Sequence, residues 1–326
     1  MTKMSRRALM AALAVAAPLM TTSATMAQQA WPTRPVRLIL PFGPASGADI
    51  AARILADKLQ PLWGQPVVVE GKPGGDGLIS VGTVVNAKDD HVLFFGPTSA
   101  YVVHPYVHDN LPYDFDRDLA PVAGVAQVQI AMAVPTKLGI NSLRDFIAYA
   151  KKNPEKVSYG VAPGFSEFVF DGFKSEAGLN IPKVPYRDIT TSPADLAEGR
   201  LQLVMMSYAA MRATEQMGTI KVLAMNSTKR SEIAPNTPSV VEQGVPNLVA
   251  SPILGFVGPR DMSMAIRQKI GRDVVEVLKD QQVRDRLNQS GQPAAPMNTE
   301  EFTAGVNEQR AQVDRIAKLL NIPRKK

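Results

Sequence analysis

Val36-Arg37-Leu38-Ile39-Leu40-Pro41-Phe42-Gly43-Pro44-Ala45-Ser46-Gly47-Ala48-Asp49-Ile50-Ala51-Ala52-Arg53-Ile54-Leu55 is the stretch whose reading decides the fold. Residues 36–40 read as a buried strand that Pro41 ends. Residues 48–59 read as a helix with Ile50, Ile54, Leu55 and Leu59 on one face. Between them Ser46 and Asp49 have the spacing of a capping box ahead of an apolar run. Strand, short polar loop and helix in that order form the opening of a βαβ unit.

The same alternation continues in both directions. Residues 67–70 read as a strand, 71–77 as a Gly/Pro turn, 78–87 as a helix and 92–95 as a strand. Residues 129–134, 157–160, 201–206, 220–225 and 253–257 read as further strands. Helices are expected over 142–151, 166–177, 193–198, 262–279 and 299–320, with Gly178 and Gly199 as stops. Ser192 is the expected cap of the 193–198 helix, with Pro193 at its first position.

Residues 1–27 are read as a secretory signal peptide. Lys3, Arg6 and Arg7 precede a short apolar stretch, and Thr25-Met26-Ala27 offers small residues for cleavage after Ala27. The apolar stretch is too short for a stable membrane span. Export to the periplasm is therefore expected. Removing the segment takes away three cations and no acids, lowering the formal charge from +6 to +3. The remaining cations are dispersed, which argues against a nucleic-acid partner. The chain has no Cys, so disulfides, thiolate catalysis and Cys-based metal sites are excluded.

The remaining length suits two domains of about 150 residues. No low-complexity linker divides them, so the chain is expected to cross between lobes inside strands, near 126–134 and 248–254. The expected fold is α/β: two lobes, each a mainly parallel sheet flanked by helices, with the ligand cleft between them. Residues 28–128 plus 252–326 form lobe 1, and 129–251 form lobe 2.

In open α/β sheets ligands bind beyond the carboxyl ends of the strands, where helix starts favour anions. Four loops stand in such places. The first holds Phe42, Pro44, Ala45 and Ser46. The second holds Thr98 and Ser99, the third Gly164, Phe165 and Ser166, and the fourth Ser207. Each hydroxyl taken singly is an ordinary helix cap. Loops of one kind split between two lobes point instead to an anion clamp, with Tyr186 as a further candidate. Four charge-assisted hydrogen bonds, less the cost of immobilising a ligand, amount to about −8 kcal/mol, or roughly micromolar binding.

An enzyme would need other groups. The histidines are His91, His104 and His108; there is no G-x-S-x-G elbow, H-E-x-x-H, Walker or dinucleotide motif. No cofactor, catalytic residue or metal ligand is assigned. Arg37, Arg53 and Arg187 are read as surface or structural groups.

Trp31-Pro32-Thr33-Arg34-Pro35-Val36-Arg37-Leu38-Ile39, Asp49-Ile50-Ala51-Ala52-Arg53 and Gly64-Gln65-Pro66-Val67-Val68-Val69-Glu70 resemble the start of the tripartite tricarboxylate transporter receptors, the Bug family. Leu111-Pro112-Tyr113-Asp114, Val184-Pro185-Tyr186-Arg187 and Thr237-Pro238-Ser239-Val240 extend the resemblance along the chain. It implies a two-lobe periplasmic receptor, of periplasmic-binding-protein type (type II-like), that hands small carboxylates to a membrane permease; hinge closure around a small organic carboxylate and a monomer are expected with it. Ala45 and Ser46 replace two adjacent glycines usual in that family, and Ser207 stands where many members have Asp. The identity of the acid stays open: a di- or tricarboxylate, or an aromatic acid to which Phe165 and Phe168 would be suited. A secreted hydrolase of small esters and a ligand-sensing co-receptor are the alternative readings.

Overall fold

Strands β1 (Val36–Leu40), β2 (Val67–Gly71), β3 (Val92–Pro97), β4 (Leu119–Gln127), β9 (Ile253–Pro259) and β10 (Ala294–Met297) build one sheet in the order β10-β4-β9-β3-β1-β2. Strands β5 (Ile130–Pro135), β6 (Tyr159–Val161), β7 (Leu203–Ser207) and β8 (Ile220–Met225) build a second, in the order β6-β7-β5-β8. The helices are α1 (Gly47–Trp63), α2 (Leu78–Ala87), α3 (His104–Val107), α4 (Phe115–Asp118), α5 (Leu143–Lys152), α6 (Phe165–Glu176), α7 (Ser192–Glu198), α8 (Tyr208–Gln216), α9 (Met264–Val277), α10 (Gln281–Gln289) and α11 (Thr299–Leu319). This computed structural model describes residues 31–44, 46–162, 164–186 and 189–325. Pro32–Lys326 is one compact unit. The expected signal peptide and its cut after Ala27 lie outside the described residues.

Both sheets are mixed, and this corrects the expectation of mainly parallel pairing. By direction, β1 to β4 run together, as do β6, β7 and β8. Most paired neighbours are nonetheless antiparallel, because β9 lies between β3 and β4, and β5 between β7 and β8. The reason is the chain path. β5 is the first strand after the chain leaves the first sheet, and β9 is the first after it returns. Each enters in reverse and is inserted inside the sheet. The two passages are stitched together, since the Val128 amide donates to the Pro252 carbonyl at 2.8 Å.

This path decides where function can sit. Pro97 is level with Leu254, Leu254 with Ala126, and Ile130 with Ser207. The carboxyl ends of β3, β4 and β7 therefore all lie at the passage between the sheets.

The apolar core runs across both sheets without a break. Ile39, Phe94, Val257 and Phe302 belong to the same buried cluster as Met132, Leu203, Phe165 and Phe170. Helix α11 joins the two parts: its first half packs on β4 and β9, and Ile316 on its last turns meets Gly172 of α6. Tyr106 of α3 meets Phe168 of α6 with ring centroids 5.9 Å apart.

Several elements lie outside the sequence expectation: β4, β10, α3, α4, α8 and α10. Pro121 and Gly124 punctuate β4, and tertiary pairing overrides that local signal. The α7 cap is Thr191; Ser192 is the first helical residue and its hydroxyl donates to the Ile189 carbonyl at 2.7 Å.

Gly96, Gly255 and Gly124 lie side by side across β3, β9 and β4. A Cβ on Gly255 would stand 2.5 Å from the Ala123 carbonyl oxygen and 2.7 Å from the Phe302 ring. Backbone cannot retreat as a side chain can. Gly255→Ala is therefore expected to cost about 1–3 kcal/mol, read as a lower urea midpoint. Unchanged stability would show that α11 is not seated on this glycine row.

Candidate functional site

The loop after β1 is capped from within. The Ser46 hydroxyl accepts from the Asp49 amide at 3.1 Å, and Asp49 holds Arg53 through both carboxylate oxygens. Ser46 keeps its hydroxyl proton for an outside acceptor. Phe42 and Pro44 are exposed on the same loop, and Ala45 lies outside the described residues.

The loop after β3 has two functions. Thr98 is fully buried; its hydroxyl donates to Gln309 Oε1 and accepts from the Ile253 amide at 3.0 Å. Gln309 Nε2 in turn donates to the Ser251 carbonyl at 2.9 Å. Thr98 is thus a bolt between the loop, α11 and the returning strand, and its hydroxyl is removed from the set of ligand donors. Ser99, next to it, is half-buried and makes no side-chain hydrogen bond among the described residues.

In the second lobe, α6 begins at Gly164, whose φ of 83° is a conformation glycine adopts without strain. No side chain caps α6. Ser166 is only 4 % exposed, and its hydroxyl is unpaired among the described residues. Phe165 is wholly buried and Phe168 packs on Tyr106. Both rings are core, so the case they offered for an aromatic ligand falls. Helix α8 begins at Ser207, also without a side-chain cap and with its hydroxyl unpaired among the described residues. Tyr186 is set aside differently. Its hydroxyl donates to Asp195, and burial, reinforced by that carboxylate, pushes its pKa up to about 12.

The lobes touch at two places around these loops. A Cβ on Gly164 would lie 3.7 Å from the Ser99 carbonyl oxygen. A Cβ on Gly291, in the turn after α10, would lie 2.5 Å from Ala209 Cβ on the first turn of α8. A cavity of about 230 Å³ opens beside this second contact, lined by Tyr208, Arg212, Ile233 and Gln289 among others. A larger hollow of about 410 Å³ lies at Arg34, Asp89 and Asp90, by the amino ends of the strands. It lies at the other end of the strands from the starts of α1, α6 and α8, and an ion pair walls it.

Asp89, Asp90 and His91 could in principle hold a metal. Arg34 already binds both oxygens of Asp89 at 2.7 and 2.9 Å. His91 Nδ1 meets Asp90 at 2.6 Å and its Nε2 accepts from the Thr33 amide at 3.1 Å. The cluster is satisfied by the protein itself. Arg37 is paired with Glu70 at 2.6 Å, which makes it structural as Arg53 is; Arg187 lies outside the described residues.

Sequence reasoning missed Gln292. It is 7 % exposed, its Oε1 has no partner, and its Nε2 would be 2.7 Å from a Cβ on Gly47, the first residue of α1. No local pattern links positions separated by so much chain.

Two α/β lobes, crossed twice by the chain, define a bilobal solute-binding protein of the periplasmic type. The chain belongs to the tripartite tricarboxylate transporter family receptors, whose model matches residues 51–322. It is 28% identical to a UPF0065 protein of Bordetella bronchiseptica, over 90% of this chain and 88% of that one. It is 29% identical to protein BugT of Bordetella pertussis, over 86% and 89%. The structure of R. palustris Rpa4515 with adipate superposes with a TM-score of 0.76 at 27% identity, covering 90% of this chain and 99% of that one. Among the described residues no helix is long and apolar enough to cross a membrane.

His104 gives a pH test of the first lobe. Its Nε2–H donates to the Asp76 carbonyl at 3.1 Å, and its Nδ1 accepts from the Tyr113 hydroxyl at 2.7 Å. Burial lowers its pKa to about 4, against 6.5 when free. The native state thus resists protonation. Its contribution is whole above about pH 6.5 and is lost as pH falls toward 4. Urea midpoints should decline over that window, and His104→Gln should flatten the decline. An equal decline in the variant would assign the loss to other groups.

Proposed function

We propose that this protein is a periplasmic receptor that closes its lobes on a small organic carboxylate and performs no chemistry on it. One observation carries the reading. Helices α5, α9 and α11 start at the far ends of the strands, and the side chains of Ser142, Ser263 and Asn298 cap them. At the carboxyl ends of the strands α1 is capped by Ser46, but α6 and α8 start with no side-chain cap, beside the hydroxyls of Ser166 and Ser207, unpaired among the described residues; of the first amides of α8, that of Tyr208 donates to the Gln129 carbonyl at 2.8 Å. The first N–H groups of a helix have no partner within it and carry the positive end of its dipole. A carboxylate supplies the missing acceptor. Ser46 and Ser99 would bind it from the first lobe, with the backbone of the loops around Phe42, Pro44, Ala45 and Gly164.

A linear dicarboxylate fits better than an aromatic acid, because Phe165 and Phe168 are core residues. The adipate found in the R. palustris relative supports that choice. Family membership supports the permease of a tripartite transporter as the recipient, and export by a signal peptide ending near Ala27. A hydrolase is disfavoured because His91 and His104 have both ring nitrogens engaged, leaving neither as a base for Ser99, Ser166 or Ser207.

Titration calorimetry with succinate, glutarate and adipate should find a binder with Kd of roughly micromolar order. Ser166→Ala and Ser207→Ala, which remove the hydroxyl without adding bulk, should each weaken it about tenfold, the factor for one lost hydrogen bond of about 1.4 kcal/mol, with the melting temperature nearly unchanged. If no acid binds while a small chromogenic ester is hydrolysed, the receptor reading is wrong.

A further inference from the structure

The turn Ser290-Gly291-Gln292 touches the starts of two helices from opposite lobes. Gly291 abuts Ala209 on the first turn of α8, and the Gln292 carboxamide rests on Gly47 at the first position of α1. The turn is held firmly. The Gln292 amide donates to the Leu287 carbonyl at 2.9 Å, and the Pro293 carbonyl accepts from the Gln127 amide at 3.3 Å. Yet the end of the side chain is unsatisfied. It is more than nine-tenths buried, and its Oε1 has no hydrogen-bond partner. A buried polar group left unpaired is costly, so such a group points to a missing partner.

The chemistry of that partner follows from the carboxamide. It presents an acceptor oxygen and donor hydrogens side by side. A carboxylate has only acceptors, so it can use the Nε2 side and leaves Oε1 unpaired. A carboxylate with a hydroxyl on the neighbouring carbon offers an acceptor and a donor at matching spacing, and satisfies both. We propose that Gln292 is a specificity-determining residue that selects a hydroxy-substituted carboxylate over the same acid without the hydroxyl. In this arrangement Gln292 Oε1 accepts from the ligand hydroxyl while Nε2 donates to a carboxylate oxygen beside the α1 start. The proposal rests on the carboxylate-receptor reading and narrows it.

The test is a calorimetric comparison of three acid pairs: succinate with malate, adipate with 2-hydroxyadipate, and phenylacetate with mandelate. The full chain without its first 27 residues and its Gln292→Met variant, which keeps the volume and removes the amide, are titrated in parallel. For at least one pair the unaltered protein should favour the hydroxy acid tenfold or more. In Gln292→Met that preference should collapse, with the plain acid changed less than threefold and the melting temperature retained. A preference that survives in the variant, or equal binding of both members of every pair by the unaltered protein, overturns the role of Gln292 and leaves the receptor reading intact. Should the variant lose stability, Gln292→Glu serves instead. It keeps an acceptor and loses the donor, and by charge it should weaken both acids of a pair; unchanged binding there also rejects the proposal. Failure of the unaltered protein to bind any of the six acids rejects the receptor reading and this inference with it.

Discussion

The chain passes between its two sheets twice, and the second passage is hydrogen-bonded to the first through Val128 and Pro252. That stitch constrains everything near it. A strand that enters a sheet from its neighbour's side arrives reversed with respect to the strands already there. β5 and β9 both do so, and both lie inside their sheets rather than at an edge. The strands beside them then end at the passage. Those ends are where the following helices begin, so the helix starts of both lobes gather around one gap. The site is a consequence of connectivity before it is a matter of any side chain.

In the proposed site the candidate donors are backbone and neutral groups, and Arg212 is the cation that lines the cavity beside the α8 start. Arg37 and Arg53 are committed to Glu70 and Asp49. Ser46, Ser99, Ser166 and Ser207 are the hydroxyls proposed to serve instead, beside helix starts whose N–H groups are fixed in space. Neutral donors of this kind have a physical advantage in a receptor. A buried cation awaiting its anion suffers a large desolvation penalty while the site is empty, whereas hydroxyls and amides can be solvated by water and released cheaply. Affinity then comes from many modest contacts, which suits a protein that must also let its ligand go.

The strand–loop–helix order and the four loops were legible from sequence because each rests on local signals: apolar periodicity, Gly/Pro punctuation and cap spacing. Ser46, Ser166 and Ser207 were singled out as candidates this way. The same signals cannot tell a hydroxyl that faces a cleft from one that bolts two elements together. Thr98 and Ser99 are adjacent and chemically alike, yet Thr98 is spent on Gln309 and Ile253 while Ser99 is not. Phe165 likewise sits in a loop-like context and is buried by contacts made far along the chain. Gln292 shows the converse: it reaches Gly47 only because α10 and β10 return the chain to the first loop. Long-range pairing also explains β4, whose Pro121 and Gly124 discourage a strand until β9 and β10 bracket it.

The continuous core limits how the lobes can move. Opening that parted Tyr106 from Phe168, or Ile316 from Gly172, would expose aromatic and aliphatic surface at about 25 cal/mol per Å². Separating Ala209 from Gly291 exposes little, since both side chains are minimal. The cheap motion therefore keeps α11 and α6 together as a pivot and swings the α8 start away from the turn after α10. The Thr98–Gln309–Ser251 bonds sit on the pivot side, close to the returning strand. Ser99 is one residue from that network, so the proposed ligand contact there would lie beside the packed side of the molecule.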